Sequence, residues 1–111
     1  MNVTTTSPSP RVAVIHCDGR LNMVAAPQLR SCIDDCISQG QDRIVVDLSA
    51  TTFIDSSGLG ALIGGLKRAR QKSGDLRIAA PTEQIEAVLR LTNLDRVLRP
   101  YPEVDDAVRG F

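Results

Sequence analysis

The six residues Asp55-Ser56-Ser57-Gly58-Leu59-Gly60 constrain this chain most, because they follow the apolar run Arg43-Ile44-Val45-Val46-Asp47-Leu48. Such a short, nearly continuous run fits a strand in a sheet covered by helices. The hexapeptide then reads as the end of a strand region, a tight turn and the opening of a helix. Either Ser56 or Ser57 can cap that helix, because a hydroxyl accepts well from the unpaired amides of a first turn. The same amides and the helix dipole favour added negative charge, so a serine there is well placed to receive a phosphate. Asp55 supplies the opposing charge. Plain capping and a switch written in charge are both compatible with these residues.

Elsewhere, strand and helix patterns alternate. Residues 1–10 read as a polar leader ending in Ser-Pro-Ser-Pro, part of which can form an edge strand, although its prolines oppose a long regular one. Residues 11–111 read as a single domain. Arg11–Cys17 has the composition of a strand, and Asp18-Gly19 closes it with a turn signal. Asn22 is a candidate cap for a helix in which Leu29, Cys32, Ile33, Cys36 and Ile37 recur at helical spacing from Pro27 onward. A second helix from about Ser57 to Lys72 carries Leu59, Leu62, Ile63 and Leu66 as its core stripe. Leu76–Ala80 reads as a strand. Thr82 can cap a third helix with Ile85, Val88 and Leu89 facing inward, and Asn93 can close it in left-handed geometry. Arg96–Arg99 gives one more short strand, Glu103–Val108 a final helical turn or two, and Phe111 an anchor for the end. This alternation predicts an α/β sandwich with parallel crossovers.

Composition narrows the function. Aliphatic residues must build the core, since the 111 residues include no Trp, one Tyr and two Phe. Lys plus Arg and Asp plus Glu are both 13, and this balance, with no aromatic platform, argues against direct nucleic-acid binding. No stretch approaches the roughly 20 apolar residues of a membrane span, so no membrane insertion is expected. The N-terminus lacks an apolar signal segment, which points to the cytoplasm. Cys17, Cys32 and Cys36 form no Cys-x-x-Cys pair and read as buried small hydrophobes, with a redox or metal role as the alternative.

No catalytic residues, metal ligands or cofactor site emerge. His16, the only histidine, lies within a strand-like run and reads as an ordinary satisfied side chain. Ser56 and Ser57 lack the Gly-x-Ser-x-Gly elbow of a hydrolase, and no Lys-Ser or Lys-Thr follows Gly58 and Gly60 to complete a phosphate loop. Asp47 and Asp55 flank the carboxyl end of the predicted central strand, where functional groups gather in parallel sheets. Asp47 most simply steadies the local loop; Asp55 can orient the Ser56 hydroxyl or meet a partner's cation. Gly58, Ala61, Gly64 and Gly65 leave small side chains along the second helix, a costly choice in a helix interior. Close packing within the domain and a partner's docking face, in line with Ser56 and Ser57, both explain them.

With Asp55–Gly60 set behind Gly19-Arg20-Leu21-Asn22, the Pro27–Ile37 helix and Ile44–Leu48, the chain resembles bacterial anti-anti-sigma factors of the STAS family from about Val12 to Val108. The resemblance implies an α/β STAS fold, a four- or five-stranded mixed sheet with helices packed mainly on one side. It also implies an anti-sigma factor antagonist that binds a serine-kinase anti-sigma factor, frees a sigma factor in a stress response, and is switched off when the kinase phosphorylates Ser56. A separate serine phosphatase would restore it. The expected partner surface comprises Asn22, Asp55, Ser57, Gly58, Ala61, Gly64 and Gly65. Gly19-Arg20-Leu21-Asn22 stands where the family commonly carries Gly-Glu-Leu-Asp or Gly-Glu-Ile-Asp. The alternative is a constitutive, phosphorylation-independent STAS interaction module in another signalling or transport assembly.

Overall fold

Ile44, Val45 and Val46 are fully buried because their strand, β3 (Arg43–Asp47), runs through the middle of a mixed sheet. The computed structural model describes all residues, 1–111. Two strands precede β3: β1 (Asn2–Ser9) and β2 (Val12–Leu21), with α1 (Ala26–Ser38) between β2 and β3. After it come β4 (Thr51–Ile54), α2 (Ser56–Gln71), β5 (Asp75–Ala79), α3 (Glu83–Leu91), a 3-10 turn at Leu94–Arg96, β6 (Pro100–Tyr101) and α4 (Val104–Arg109). The sheet order is β1-β2-β3-β5-β6, with β4 paired to β2 off this path. Only β1 is antiparallel to its neighbour; β2, β3, β5 and β6 run parallel. This is the expected mixed STAS-like sheet, to which β4 adds a short further strand.

Helices α1, α2 and α3 cover one face. Their Leu29, Ile33, Leu62, Leu66, Ile85 and Leu89 join Ile15, Ile44 and Ile78 of the sheet in one aliphatic core. On the opposite face Ala107 of α4 closes over Val14, Val45 and Ala79, with Tyr101 and Phe111 packed at the margin. Successive residues of a strand point to opposite faces, which is why Ile44 and Val45 serve different layers. Phe111 does fasten the end of the chain: the Arg77 guanidinium lies 4.0 Å from its ring centroid.

The predicted turn at Asp18-Gly19 is a bend inside a strand. β2 pairs with β3 over Val12–His16 and then with β4 from Gly19 to Leu21, with a slip in register between Gly19 and Arg20. Gly19 has φ +116°, a conformation open to glycine but strained for other residues. At the sheet edge, β1 pairs regularly with β2 from Asn2 to Thr6, then loses register before Ser9, across Pro8, which has no amide to donate. Arg96–Arg99 is not a strand: Asn93 adopts the expected left-handed conformation at φ 58°, and the chain turns so that the Leu98 amide donates to the Leu94 carbonyl at 2.7 Å. Thr82 caps α3 as expected, its Oγ1 accepting from the Ile85 amide at 3.3 Å. Val88 is only half-buried on that helix.

Candidate functional site

Neither serine caps α2. Asp55 does, in an extended conformation with Oδ1 accepting from the Gly58 amide at 3.0 Å. A short carboxylate one residue ahead of the helix reaches that amide and also complements the positive end of the dipole. Its Oδ2 accepts from the Met23 amide at 3.1 Å, and its own amide donates to the Leu21 carbonyl at 3.3 Å. Asp55 therefore fastens the start of α2 to the turn that follows β2. Each carboxylate oxygen accepts one bond from the chain itself, which fixes the shape of this junction.

Ser56 occupies the first position of α2 and is exposed, with Ser57 half-buried behind it. Across the clamp, Asn22 Oδ1 accepts from the Val24 and Ala25 amides, both at 3.1 Å. It shapes the turn leading into α1, while Ala25 stands at the helix cap position with no side-chain bond. The turn holds out two side chains that the sequence reading missed: Met23 is 71% and Val24 83% exposed. The sequence does not set them apart, because they run on into Ala25 and Ala26, which are buried. Ser56, Met23 and Val24 thus belong to two segments that Asp55 ties together. Arg20 points elsewhere, stacking over Phe53 of the paired strand at 4.3 Å from the ring centroid.

Three of the small residues assigned to a docking face lie inside the domain. Ala61 is fully buried, and Gly58 and Gly65 are buried as well. A Cβ on Gly58 would come within 2.5 Å of the Leu21 carbonyl oxygen, and one on Gly65 within 2.8 Å of Ile33 and 2.9 Å of Leu76. These residues let α2 approach β2, α1 and β5 closely. Gly64 is half-exposed beside Arg68, and Gly60 faces open space. Arg68 reaches across to Asp34 of α1 in an ion pair.

Two further polar groups resolve into structural roles. His16 Nδ1 lies 2.8 Å from Asp47 Oδ2, and its Nε2 lies 3.1 Å from Thr6 Oγ1. This Thr-His-Asp line ties β1, β2 and β3 together across the sheet. Burial alone would raise the Asp47 carboxyl, but hydrogen bonds from the Ser49 amide and the His16 ring outweigh it and hold it below its ordinary value. Cys17 and Cys36 are buried, whereas Cys32 is half-exposed in a groove of about 400 Å³ between β1 and α1. Burial, reinforced by the Asp47 charge, pushes the Cys17 thiol up to about 12. A hydrogen bond from the Cys32 thiol lowers Cys36 and correspondingly raises Cys32.

The STAS domain family pattern matches residues 4–107. The chain belongs to the STAS domain family. A Thermotoga maritima protein provisionally assigned as an anti-sigma factor antagonist is 31% identical over 98 residues, covering 87% of each chain. The crystal structure of an anti-sigma factor antagonist from Mycobacterium paratuberculosis superposes with a TM-score of 0.83 at 29% identity, covering 98% of this chain and 93% of that one. The Bacillus cell fate determinant SpoIIAA, in its phosphorylated form, shares the fold with a TM-score of 0.76 at 22% identity, over 99% of this chain and 100% of that one. No helix of this STAS domain is long and apolar enough to cross a membrane.

Proposed function

We propose that this domain is an anti-sigma factor antagonist that binds a serine-kinase anti-sigma factor around the start of α2, and that phosphorylation of Ser56 ends the interaction. The observation that carries the reading is the exposed Ser56 hydroxyl at the first position of α2, beside a turn that presents Met23 and Val24 to solvent. The names of the Thermotoga and Mycobacterium relatives support the antagonist role, and a structure of SpoIIAA in a phosphorylated form supports a switch by phosphate. A phosphate brings about two negative charges at neutral pH. At Ser56 it would be tolerated by the helix dipole, so the fold persists. It would stand beside the Asp55 carboxylate and the apolar Met23–Val24 surface, where bulk and charge oppose a docked partner. A serine phosphatase would reverse the modification.

Incubation with the cognate kinase and ATP, followed by intact-mass and phosphopeptide analysis, tests the acceptor. One phosphate on Ser56 is expected; a phosphate on Ser57 alone overturns the assignment. Ser56→Ala should bind the partner and resist phosphorylation. Ser56→Asp should fold normally but bind at least about tenfold more weakly, equivalent to ~1.4 kcal/mol. Arg20, stacked on Phe53 where the family commonly has an acid, motivates the second reading of a constitutive interaction module. Undiminished partner binding by Ser56→Asp would favour it.

A further inference from the structure

We propose that a groove at the C-terminal end of α2 binds a small molecule carrying consecutive phosphate groups. The groove encloses about 230 Å³ and is lined by Arg70, Arg77, Arg96 and Arg99, with Asp75 as its only carboxylate. Four guanidinium groups against one carboxylate leave a local charge of +3, on a chain whose formal charge is zero. Like charges converge there because three separate elements deliver them: the last turn of α2, β5, and the connection that the 3-10 turn makes to β6.

Two of the four cations are already committed. Arg70 Nε donates to Asp75 Oδ1 at 3.3 Å, and Arg77 Nε lies 3.8 Å from Asp75 Oδ2. Arg77 also donates to the Ala107 carbonyl at 3.0 Å, which fixes its position. Arg96 and Arg99 are exposed and join no ion pair. The planar fork of a guanidinium matches phosphate oxygens two at a time, and several such forks around one concavity strengthen each other's attraction for a polyanion.

The same geometry defines which part of a ligand is read. The Arg77 guanidinium lies 5.4 Å from the Tyr101 ring centroid and 4.0 Å from that of Phe111, so a cation already covers both rings. Tyr101 is the only aromatic residue that lines the groove and already carries Arg77 on one face, so what the groove offers is chiefly donors for phosphate. The ligand is therefore recognised by its phosphate chain, whatever group is attached to it. The groove is also remote from the Ser56 hydroxyl. Arg70 follows Ser56 by fourteen residues of one helix, about 21 Å at 1.5 Å per residue, so this site is independent of the partner reading above.

Titration of the full chain with inorganic tripolyphosphate, by calorimetry and amide NMR, tests the proposal. Saturable binding is expected, with shifts concentrated at residues 70, 75–77 and 96–101. The double variant Arg96→Gln/Arg99→Gln should weaken binding at least about tenfold; both side chains are exposed and unpaired, so folding is undisturbed. Arg20→Gln/Arg30→Gln removes the same charge away from the groove and should change affinity less than about twofold. ATP should bind within about threefold of tripolyphosphate, since the phosphate chain meets the guanidinium groups and Tyr101, the one ring in the groove, already carries Arg77. Absence of saturation, equal losses from the two double variants, or much tighter binding of ATP would each overturn the proposal as stated.

Discussion

The first turn of α2 and its middle are both built from small residues, for opposite reasons. In the middle, Ala61 and Gly65 face the core, where their size lets Ile33 and Leu76 press against the helix. In the first turn, Ser56 faces water while Gly58, two residues on, is pressed against the Leu21 carbonyl. Small size alone therefore carries no information about a docking face. What separates the two uses is which side of the helix a residue occupies and whether the groups around it have partners.

Gly58→Ala should break the inward side most severely. A methyl group 2.5 Å from a backbone carbonyl cannot be accommodated by side-chain motion, and overpacking of this kind costs about 2–3 kcal/mol. Urea unfolding measures it, and an unchanged midpoint would mean that α2 has room to retreat. Asp55→Ala comes next, with a loss of about 1–2 kcal/mol for a removed helix cap and the Met23 amide left without its acceptor. Asp55→Asn, which keeps an accepting oxygen, should recover most of that stability. If both variants fall equally, the charge and not the bond holds the clamp.

Gly60→Ala probes the outward side and should have the opposite sign. A Cβ there meets nothing within 4 Å, so the higher helix propensity of alanine should raise stability by about 0.5–1 kcal/mol. A loss of stability would show that the outward side is more constrained than its open surroundings indicate. The smallest effect concerns acid, away from α2. The Asp47 carboxyl is held below its ordinary value, so it stabilises the fold above the unfolded value of about 3.9 and loses that contribution as pH falls through the folded value. Asp47→Asn should flatten the acid limb of a stability–pH curve below about pH 4, and an unchanged limb would show that this carboxylate carries none of the acid sensitivity.

Local codes were legible in the sequence where one residue decides the outcome. Thr82 marks the start of α3 and Asn93 the left-handed exit that follows it, because each acts on amides or torsions within a few residues. The apolar run of β3 was legible because a strand buried on both faces has no polar side to disguise it. Gly19 was misleading: the turn signal is real, but pairing with β4 carries the strand through the bend. The serines at 56 and 57 competed with Asp55 for the cap, and only the fold shows that the aspartate also gains the Met23 amide. The inward orientation of Gly58, Ala61 and Gly65 had a readable sign, since they share the three- and four-residue spacing of Leu62, Leu66 and Ala69. Exposure of Met23 and Val24 had no comparable code, because it depends on the clamp between two distant segments.

The unbroken course of β2 has a consequence for how this surface moves. Its first half is pinned in the sheet beside β3, and its last residue, Leu21, accepts the Asp55 amide at the threshold of α2. The turn after β2 therefore has no separate hinge at its root, and exchange of the Asp55 amide with solvent should track that of the central sheet more closely than that of an ordinary surface loop. A protein docked on Met23 and Val24 would slow exchange well beyond its footprint, in amides of β2 that it never touches.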